Sequence, residues 1–282
     1  MTDSSGTAVY LYGVSRGLDL VALGDIAGVA GEPVRGVDTD GLTALVSTVR
    51  LDEFGEQGLR ANLENLGWLE ATARAHHDVV DRAAHAAPTA PVRITTVYRD
   101  DDRVLQVLRD GRERFGLVLD RITGRSEWGV KAYAYPDQTR PEDPGGAEAA
   151  THASAPSTAG GAAEGVGTAY LRRRQEQRRR REDAGRRAAE QAEAVHAELE
   201  GRAVAVRQHP PQDPSLSGHA GTLVLNMAYL LDNEQAEEFL AVVRDIDGRT
   251  PGIDVEVTGP WPPYSFIDTD ETSSGDSSKD ER

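Results

Sequence analysis

Residues 136–168 constrain the fold of this chain more than any other stretch. They read PDQTRPEDPGGAEAATHASAPSTAGGAAEGVGT and contain almost no large apolar side chains. A segment of this composition cannot bury enough surface to offset the entropy lost on ordering, so we expect a flexible, disordered loop there. The folded part of the chain must therefore be built from the sequences on either side of it.

A second stretch of the same kind ends the chain. Residues 268–282 hold six acids, two bases and four serines, which predicts a disordered acidic tail. Without the two stretches about 230 residues remain, enough for two small cores. We predict an N-terminal α+β domain over residues 1–124 and a C-terminal domain over 125–267, into which the loop 136–168 is inserted.

The first domain shows strand patterns early and helical patterns later. Residues 9–14 (VYLYGV) are typical of a buried strand, and the turn sequence Asp-Thr-Asp-Gly between 33–37 and 42–49 predicts a hairpin. Residues 92–98 (VRITTVY) indicate a further strand. Apolar residues at three- and four-residue steps predict one long helix over 59–83 and a second over 104–122, both packed on one face of the sheet.

The second domain follows the order β-α-β-β-α-β. The strand patterns lie at 128–135, 203–208, 221–231 and 253–257, and the first helical pattern lies at 169–200. A second helix should start after Asp232, which can cap it, with Gln235 completing a capping box. This order predicts a modified ferredoxin-like fold with a long first helix.

Composition and motifs exclude several classes of function. The chain has 47 acidic and 31 basic residues, a net charge of −16, which argues against general nucleic-acid affinity. It has no cysteine, so disulfides and thiolate metal sites are excluded. We find no phosphate-binding loop, zinc motif or nucleophile elbow, and therefore expect no enzymatic activity and no cofactor.

The N-terminal residues and the apolar runs do not indicate secretion or membrane insertion. The longest apolar run, 222–231, has about half the length that a membrane-spanning helix needs. We expect a soluble cytoplasmic protein.

The pair His76–His77 is the nearest approach to a titratable cluster. Adjacent residues in a helix point to different faces and cannot easily bind one metal ion. We expect these histidines to pack or face solvent. A functional role for one of them is the alternative, because histidine titrates near neutral pH.

Residues 171–187 carry nine arginines and three acids in an otherwise acidic chain. They could form a surface for an anionic partner. They could equally form a solvated helix laced by ion pairs four residues apart, namely 176–180, 178–182 and 179–183. From this stretch we take as candidate partner-binding residues Arg172, Arg173 and Arg174.

Residues 258–267 (TGPWPPYSFI) combine three prolines with three aromatic residues directly after the last strand pattern. In one interpretation they form an exposed aromatic platform for a partner. In the other they fold back and cover the sheet, because exposed aromatic clusters promote aggregation. The candidate partner-binding residues here are Trp261, Pro262, Pro263, Tyr264 and Phe266.

Several of these motifs, taken in order, resemble the GvpL/GvpF family of gas vesicle accessory proteins. They are YLYGV at 10–14, EWGVK at 127–131, AYLRRR at 169–174, LVLNMAYLLDNEQAEEFLAVV at 223–243 and TGPWPPYSF at 258–266. The resemblance spans roughly residues 8–267 and leaves out the loop and the tail. It implies a two-domain α+β protein with a ferredoxin-like second domain.

The resemblance also implies a function. It predicts a non-enzymatic assembly factor of gas vesicles that binds the small hydrophobic shell protein and other accessory proteins, in the cytoplasm and at the vesicle. A ferredoxin-like regulatory or RNA-binding module is the alternative. RNA-recognition domains stack bases on aromatics of their central strands, whereas here strand 221–231 offers only Tyr229.

Overall fold

The computed structural model describes residues 6–135, 163–210 and 221–267. Most of the predicted flexible loop and the whole predicted acidic tail lie outside these residues. The prediction of a loop is wrong at its end, since residues 163–168 already belong to a helix. None of the described helices combines the length and the apolar character needed to cross a membrane.

The N-terminal half contains an antiparallel sheet with the strand order β2-β3-β1-β4, in which β5 also pairs with β1. Its strands are β1 (Thr7–Arg16), β2 (Arg35–Thr39), β3 (Leu42–Arg50), β4 (Thr89–Pro91) and β5 (Val97–Tyr98). The predicted hairpin is confirmed as β2 and β3. Asp40 and Gly41 both have positive φ in its turn, as a tight two-residue hairpin requires.

The predicted strand over 92–98 is wrong in its first five residues. Only Val97 and Tyr98 form a strand there, as β5. The chain between β4 and β5 bulges away from β1 and stays hydrogen-bonded to it at Val92 and Thr96, each at 2.9 Å. Thr95 adopts a φ of 63°, which no strand residue can have, and its N–H donates to the Tyr10 hydroxyl at 3.0 Å. A side chain from inside the core thus holds this excursion in place.

Each predicted N-terminal helix is in fact broken. The helices are α1 (Leu51–Phe54), α2 (Glu56–Asn62), α3 (Leu66–Ala86), α4 (Asp101–Asp110) and α5 (Arg112–Ile122). Asn65 caps the start of α3 by accepting hydrogen bonds from the N–H groups of Gly67 and Trp68. Leu66, the first residue of this helix, is exposed. Gly111 separates α4 from α5.

These helices cover both faces of the sheet, and the prediction of a single covered face is wrong. Helix α3 packs with Tyr10, Tyr12 and Leu45. Helices α4 and α5 pack on the other side, with residues such as Leu11 and Val46. The reason is that β1 and β3 are apolar on both faces, and a sheet of that kind needs two covering layers.

The C-terminal half holds a second antiparallel sheet with the order β7-β8-β6-β9. Its elements are β6 (Arg125–Ala134), α6 (Ala163–Glu200), β7 (Ala205–Gln208), β8 (Thr222–Asp232), α7 (Ala236–Arg249) and β9 (Ile253–Trp261). The end of α6 and the apolar side of α7 cover one face, as the sequence periodicity predicts. Ala188, Ala192, Val195 and Leu199 are all buried in this core.

Two local predictions in this half are wrong. Asp232 does not cap α7, because its carboxylate accepts a hydrogen bond from Arg125 at 2.9 Å, and α7 begins only after a 3₁₀ turn over Asn233–Gln235. Strand β9 is four residues longer than predicted and ends at Trp261. The sequence TGPW is therefore part of the sheet, and the segment that follows starts from its edge.

Candidate functional site

Residues 261–266, which we call the clasp, lie between the two sheets. The clasp begins at Trp261, the last residue of β9, whose side chain is 43% exposed. The Trp261 ring meets the His77 ring of α3 edge-on, with 5.4 Å between centroids. The exposed half of this indole is the part of the clasp that solvent can reach most easily.

The prolines and the tyrosine that follow turn inward. Pro262 and Pro263 are buried, and a 3₁₀ turn over Tyr264–Phe266 reverses the chain. Tyr264 packs against the N-terminal core, and its ring centroid lies 6.2 Å from that of His76. Burial raises the pKa of the Tyr264 hydroxyl, so this side chain stays neutral.

Phe266 packs in the opposite direction, onto the C-terminal sheet. It is 1% exposed and contacts Ala228 and Leu230, on the face of β8 that α6 and α7 do not cover. The guanidinium of Arg121 from α5 lies 5.9 Å above the ring. The clasp thus inserts one aromatic side chain into each half of the molecule.

A buried carboxylate fixes the clasp at Ser265. Glu127 of β6 accepts hydrogen bonds from the Ser265 N–H at 2.8 Å and from the Ser265 hydroxyl at 2.6 Å. Burial raises the pKa of Glu127, and the Ser265 bonds and nearby His209 oppose that rise. Arg207 of β7 donates to the Ser265 carbonyl at 3.1 Å, so the N–H and the carbonyl of Ser265 are both hydrogen-bonded.

His76 belongs to a buried polar chain beneath the clasp. Its Nε2 lies 3.1 Å from the Val92 carbonyl, which can only accept, so Nε2 carries the proton and Nδ1 accepts from the Tyr10 hydroxyl at 3.0 Å. Burial lowers the pKa of His76 to about 4, with the neighbouring charge of His77 acting in the same direction. His76 is therefore a neutral structural group at pH 7.

A cleft of about 330 Å³ opens beside the exposed indole. It is lined by Trp261, Pro262 and Pro263 from the clasp, by Asp81 and His85 from α3, and by Trp128 from β6, among others. The lining is mixed, since the aromatic rings and prolines lie beside polar groups such as Arg125 and Asn233. The cleft offers a place to bind a side chain of a partner.

The second candidate set lies elsewhere in the molecule. Arg172, Arg173 and Arg174 are exposed on α6, in a stretch over residues 171–187 that we call the arginine arm. Between the described residues, no hydrogen bond or ion pair joins these arginines to the clasp. The structure therefore does not bring the two predicted sets together.

The interpretation of the arm as a solvated helix predicts three ion pairs between residues four apart, and two of them are formed. Arg178–Glu182 and Arg180–Glu176 are formed at 2.7 and 3.2 Å, as predicted. Asp183 pairs with Arg186 and not with Arg179, which corrects the third prediction.

Sequence reasoning missed Glu127, because the alternation of β6 places it on the same face as Gly129 and Lys131, which are only half-buried. A carboxylate that is buried there needs hydrogen-bond donors. The donors come from Ser265, which is 138 residues away in sequence, so no local pattern could have named them.

Comparison with known proteins gives consistent matches over nearly the whole chain. The family model described as gas vesicle synthesis protein GvpL/GvpF matches residues 8–268. Gas vesicle protein L of Streptomyces sp. (strain CB03234) is 41% identical over 258 residues, covering 91% of each chain. Gas vesicle protein F of the same organism is 26% identical over 93% of this chain and 100% of its own length.

A solved structure shares the fold. The crystal structure of gas vesicle protein GvpF from Anabaena sp. PCC7120 superposes with a TM-score of 0.64, covering 94% of this chain and 97% of that chain at 18% sequence identity. At this level of identity the likeness concerns the fold alone.

Proposed function

The chain belongs to the GvpL/GvpF family of gas vesicle synthesis proteins, and on that premise we propose that it is a non-enzymatic assembly factor that binds the hydrophobic shell protein. Its role as a gas vesicle accessory protein follows from the family. The shell protein as direct partner, together with other accessory proteins, is our inference, as is its location in the cytoplasm and at the vesicle.

The observation that carries this proposal is the uneven exposure of the clasp. Phe266 is buried and Tyr264 is turned into the N-terminal core, whereas Trp261 keeps 43% of its surface in solvent beside a cleft lined partly by apolar residues. A large aromatic side chain at the edge of such a cleft is typical of interaction hot spots. We therefore assign shell-protein binding to Trp261 and the cleft, and a structural role to the rest of the clasp.

The arrangement of the two halves supports the proposed domain division. We propose domains over 1–124 and 125–267, the second of them ferredoxin-like. The strand order β7-β8-β6-β9 and the element order β-α-β-β-α-β support that assignment.

An RNA-binding module is less consistent with this arrangement. Tyr229, the one aromatic residue of β8, is buried in the core and hydrogen-bonded to His196 of α6. It is therefore not available to stack on a base.

The experiment is a pull-down of the shell protein co-expressed with this chain. Trp261→Ala should reduce recovery of the shell protein about tenfold without changing the stability of the chain, and recovery by the parent chain should persist at high salt. Leu117→Ala is the matched control, because Leu117 is an exposed apolar residue of α5 remote in sequence from the clasp. Normal recovery with folded Trp261→Ala would show that the indole is not the binding residue.

A further inference from the structure

The two edges of the C-terminal sheet differ in length. Strand β7 closes one edge with four residues, whereas β9 forms the other edge with nine. Within the part of the chain that the structure describes, β9 pairs with β6 alone, so its outer side has no neighbouring strand. Unpaired backbone groups along a long edge are a template for pairing with another strand. The outer side of β9 is therefore the side of this sheet most open to pairing with another chain.

The register of β9 identifies the backbone groups that point outward. Immediately before the strand, the Tyr135 N–H donates to the Gly252 carbonyl at 2.9 Å. Because the bonding direction alternates along an antiparallel pair, even-numbered residues of the strand then bond to β6, and odd-numbered ones direct their N–H and carbonyl groups outward. The outward donors before the register shifts are the N–H groups of Ile253, Val255 and Val257. An added strand would use these three donors.

Two of the three outward donors are already occupied within the chain. The Ile253 N–H donates to the Thr250 carbonyl at 3.3 Å, in the turn that precedes the strand. The Val255 N–H donates at 2.9 Å to Oδ1 of Asp247, a residue in the last turn of α7. Asp247 forms no ion pair with any residue that the structure describes. Its carboxylate thus covers the strand edge and leaves Val257 as the open donor of the three.

We propose that the outer edge of β9 is a self-pairing surface that Asp247 holds closed. The carboxylate occupies the middle one of the outward donors, so a second strand must displace it before it can pair. A second copy of the chain fits this edge, because an antiparallel pairing about a two-fold axis at Val255 sets Ile253 opposite Val257. The apolar side chains of both strands then stay on the face of the sheet that α6 and α7 cover.

The acidic residues of β9 weaken the same pairing. Asp254 of one copy would lie opposite Glu256 of the other, on both sides of the axis, and like charges directly opposite each other are destabilising. High salt screens this repulsion. The effect of Asp247 is therefore measured most directly at high salt, where the repulsion between the two copies is smallest.

The test measures self-association of the full chain by sedimentation equilibrium in about 0.5 M salt. Asp247→Ala frees the Val255 N–H and should dimerise at a protein concentration about tenfold or more below that of the parent chain, since neither copy then gives up a hydrogen bond on pairing. Asp247→Asn keeps an oxygen acceptor and should behave like the parent chain. Asp245→Ala is the matched control, because it removes the same charge from the same turn of α7 and breaks only a pair with Arg249 at 3.0 Å.

Amide hydrogen exchange tests the contact and the interface separately. At low protein concentration, where the variants are monomers, Val255 should exchange about tenfold faster in Asp247→Ala than in the parent chain or in Asp245→Ala. At high concentration Val257 should become protected in Asp247→Ala, because its N–H then donates to Ile253 of the second copy. Circular dichroism checks that each variant keeps its secondary structure.

Three outcomes would overturn the proposal. They are an Asp247→Ala variant that associates no more readily than the parent chain, equal association of Asp245→Ala and Asp247→Ala, and a dimer in which Val257 stays unprotected. Faster exchange at Val255 without association would show that Asp247 only ties α7 to β9. The shell-protein assay is unaffected by these results, because self-pairing of β9 does not rest on the proposed role of Trp261.

Discussion

Composition marks the clasp and the arginine arm as candidate partner-binding segments, and the fold treats them in opposite ways. The clasp is short and aromatic, and all but Trp261 of its large side chains pack into the cores. The arm is long and charged, and from Leu171 to Arg187 its side chains are exposed except for the half-buried Ala184. The comparison shows that unusual composition identifies a special segment but does not say whether its side chains face the core or solvent.

The largest expected effect would come from removing the aromatic anchor of the clasp. Phe266→Ala deletes a ring that is 1% exposed and leaves a cavity against Ala228 and Leu230, so we expect a loss of about 3–5 kcal/mol in the free energy of unfolding. Urea denaturation measures this loss, with Trp261→Ala as the exposed aromatic control. A loss below about 1 kcal/mol would show that Phe266 is not an anchor.

The next effect concerns pH and the core beneath the clasp. The folded pKa of His76 is about 4, below its ordinary value of 6.5, so between these values the unfolded chain binds a proton that the folded chain does not. Neutral His76 therefore contributes about 3 kcal/mol to the free energy of unfolding above pH 6.5, and this contribution is lost as the pH falls toward 4.

The measurement is the free energy of unfolding of the parent chain and of His76→Gln from pH 7.5 to 4. Glutamine can accept from Tyr10 and donate to the Val92 carbonyl but does not titrate. The difference between the two proteins should therefore shrink with falling pH and then favour the variant. A difference that does not change with pH would contradict the burial of a neutral His76.

A smaller effect is expected at the hydrogen bonds that fix the clasp. Ser265→Ala removes one of the two donors to the buried carboxylate of Glu127, and we expect a loss of about 1–3 kcal/mol. Ser265→Thr keeps the hydroxyl and is the matched control. If both variants lose the same stability, steric fit and not the hydrogen bond holds the clasp at this point.

The smallest effect is expected in the arm. Arg180→Gln breaks an exposed pair with Glu176, and Arg174→Gln removes an arginine without a described partner, so each should change stability by less than about 0.5 kcal/mol. Thermal denaturation monitored by circular dichroism measures both. A loss above about 1 kcal/mol in either variant would mean that the arm is part of the folded core, and the contrast with the clasp would fail.

Much of the architecture could be predicted from local patterns. The hairpin of β2 and β3, the buried stripe at the end of α6 and the order of elements in the second half all follow from periodicity and turn chemistry. Each depends on residues that are close in sequence. Family membership could also be identified from the sequence, because several separated motifs occur in the right order.

Two of the failures share a cause. The excursion of residues 92–96 and the competing partner of Asp232 each depend on a side chain from elsewhere, whereas the break before Leu66 is a local cap by Asn65. In both long-range cases a hydrogen bond replaces the local structure that the sequence pattern predicts, a strand in one and a helix cap in the other. The helices on both faces of the first sheet could have been predicted, because β1 and β3 are apolar on both faces.

The sequence by itself determined the kinds of segment in this protein, because burial periodicity, turn residues and charge are local properties. Only the tertiary structure decided their exposure. Glu127 meets Ser265 across 138 residues, Tyr264 enters the N-terminal core, Phe266 covers the C-terminal sheet, and Trp261 keeps a solvent-facing side. The physical reason is that burial depends on the packing of distant elements, whereas the patterns that predict a helix or strand extend over only a few residues.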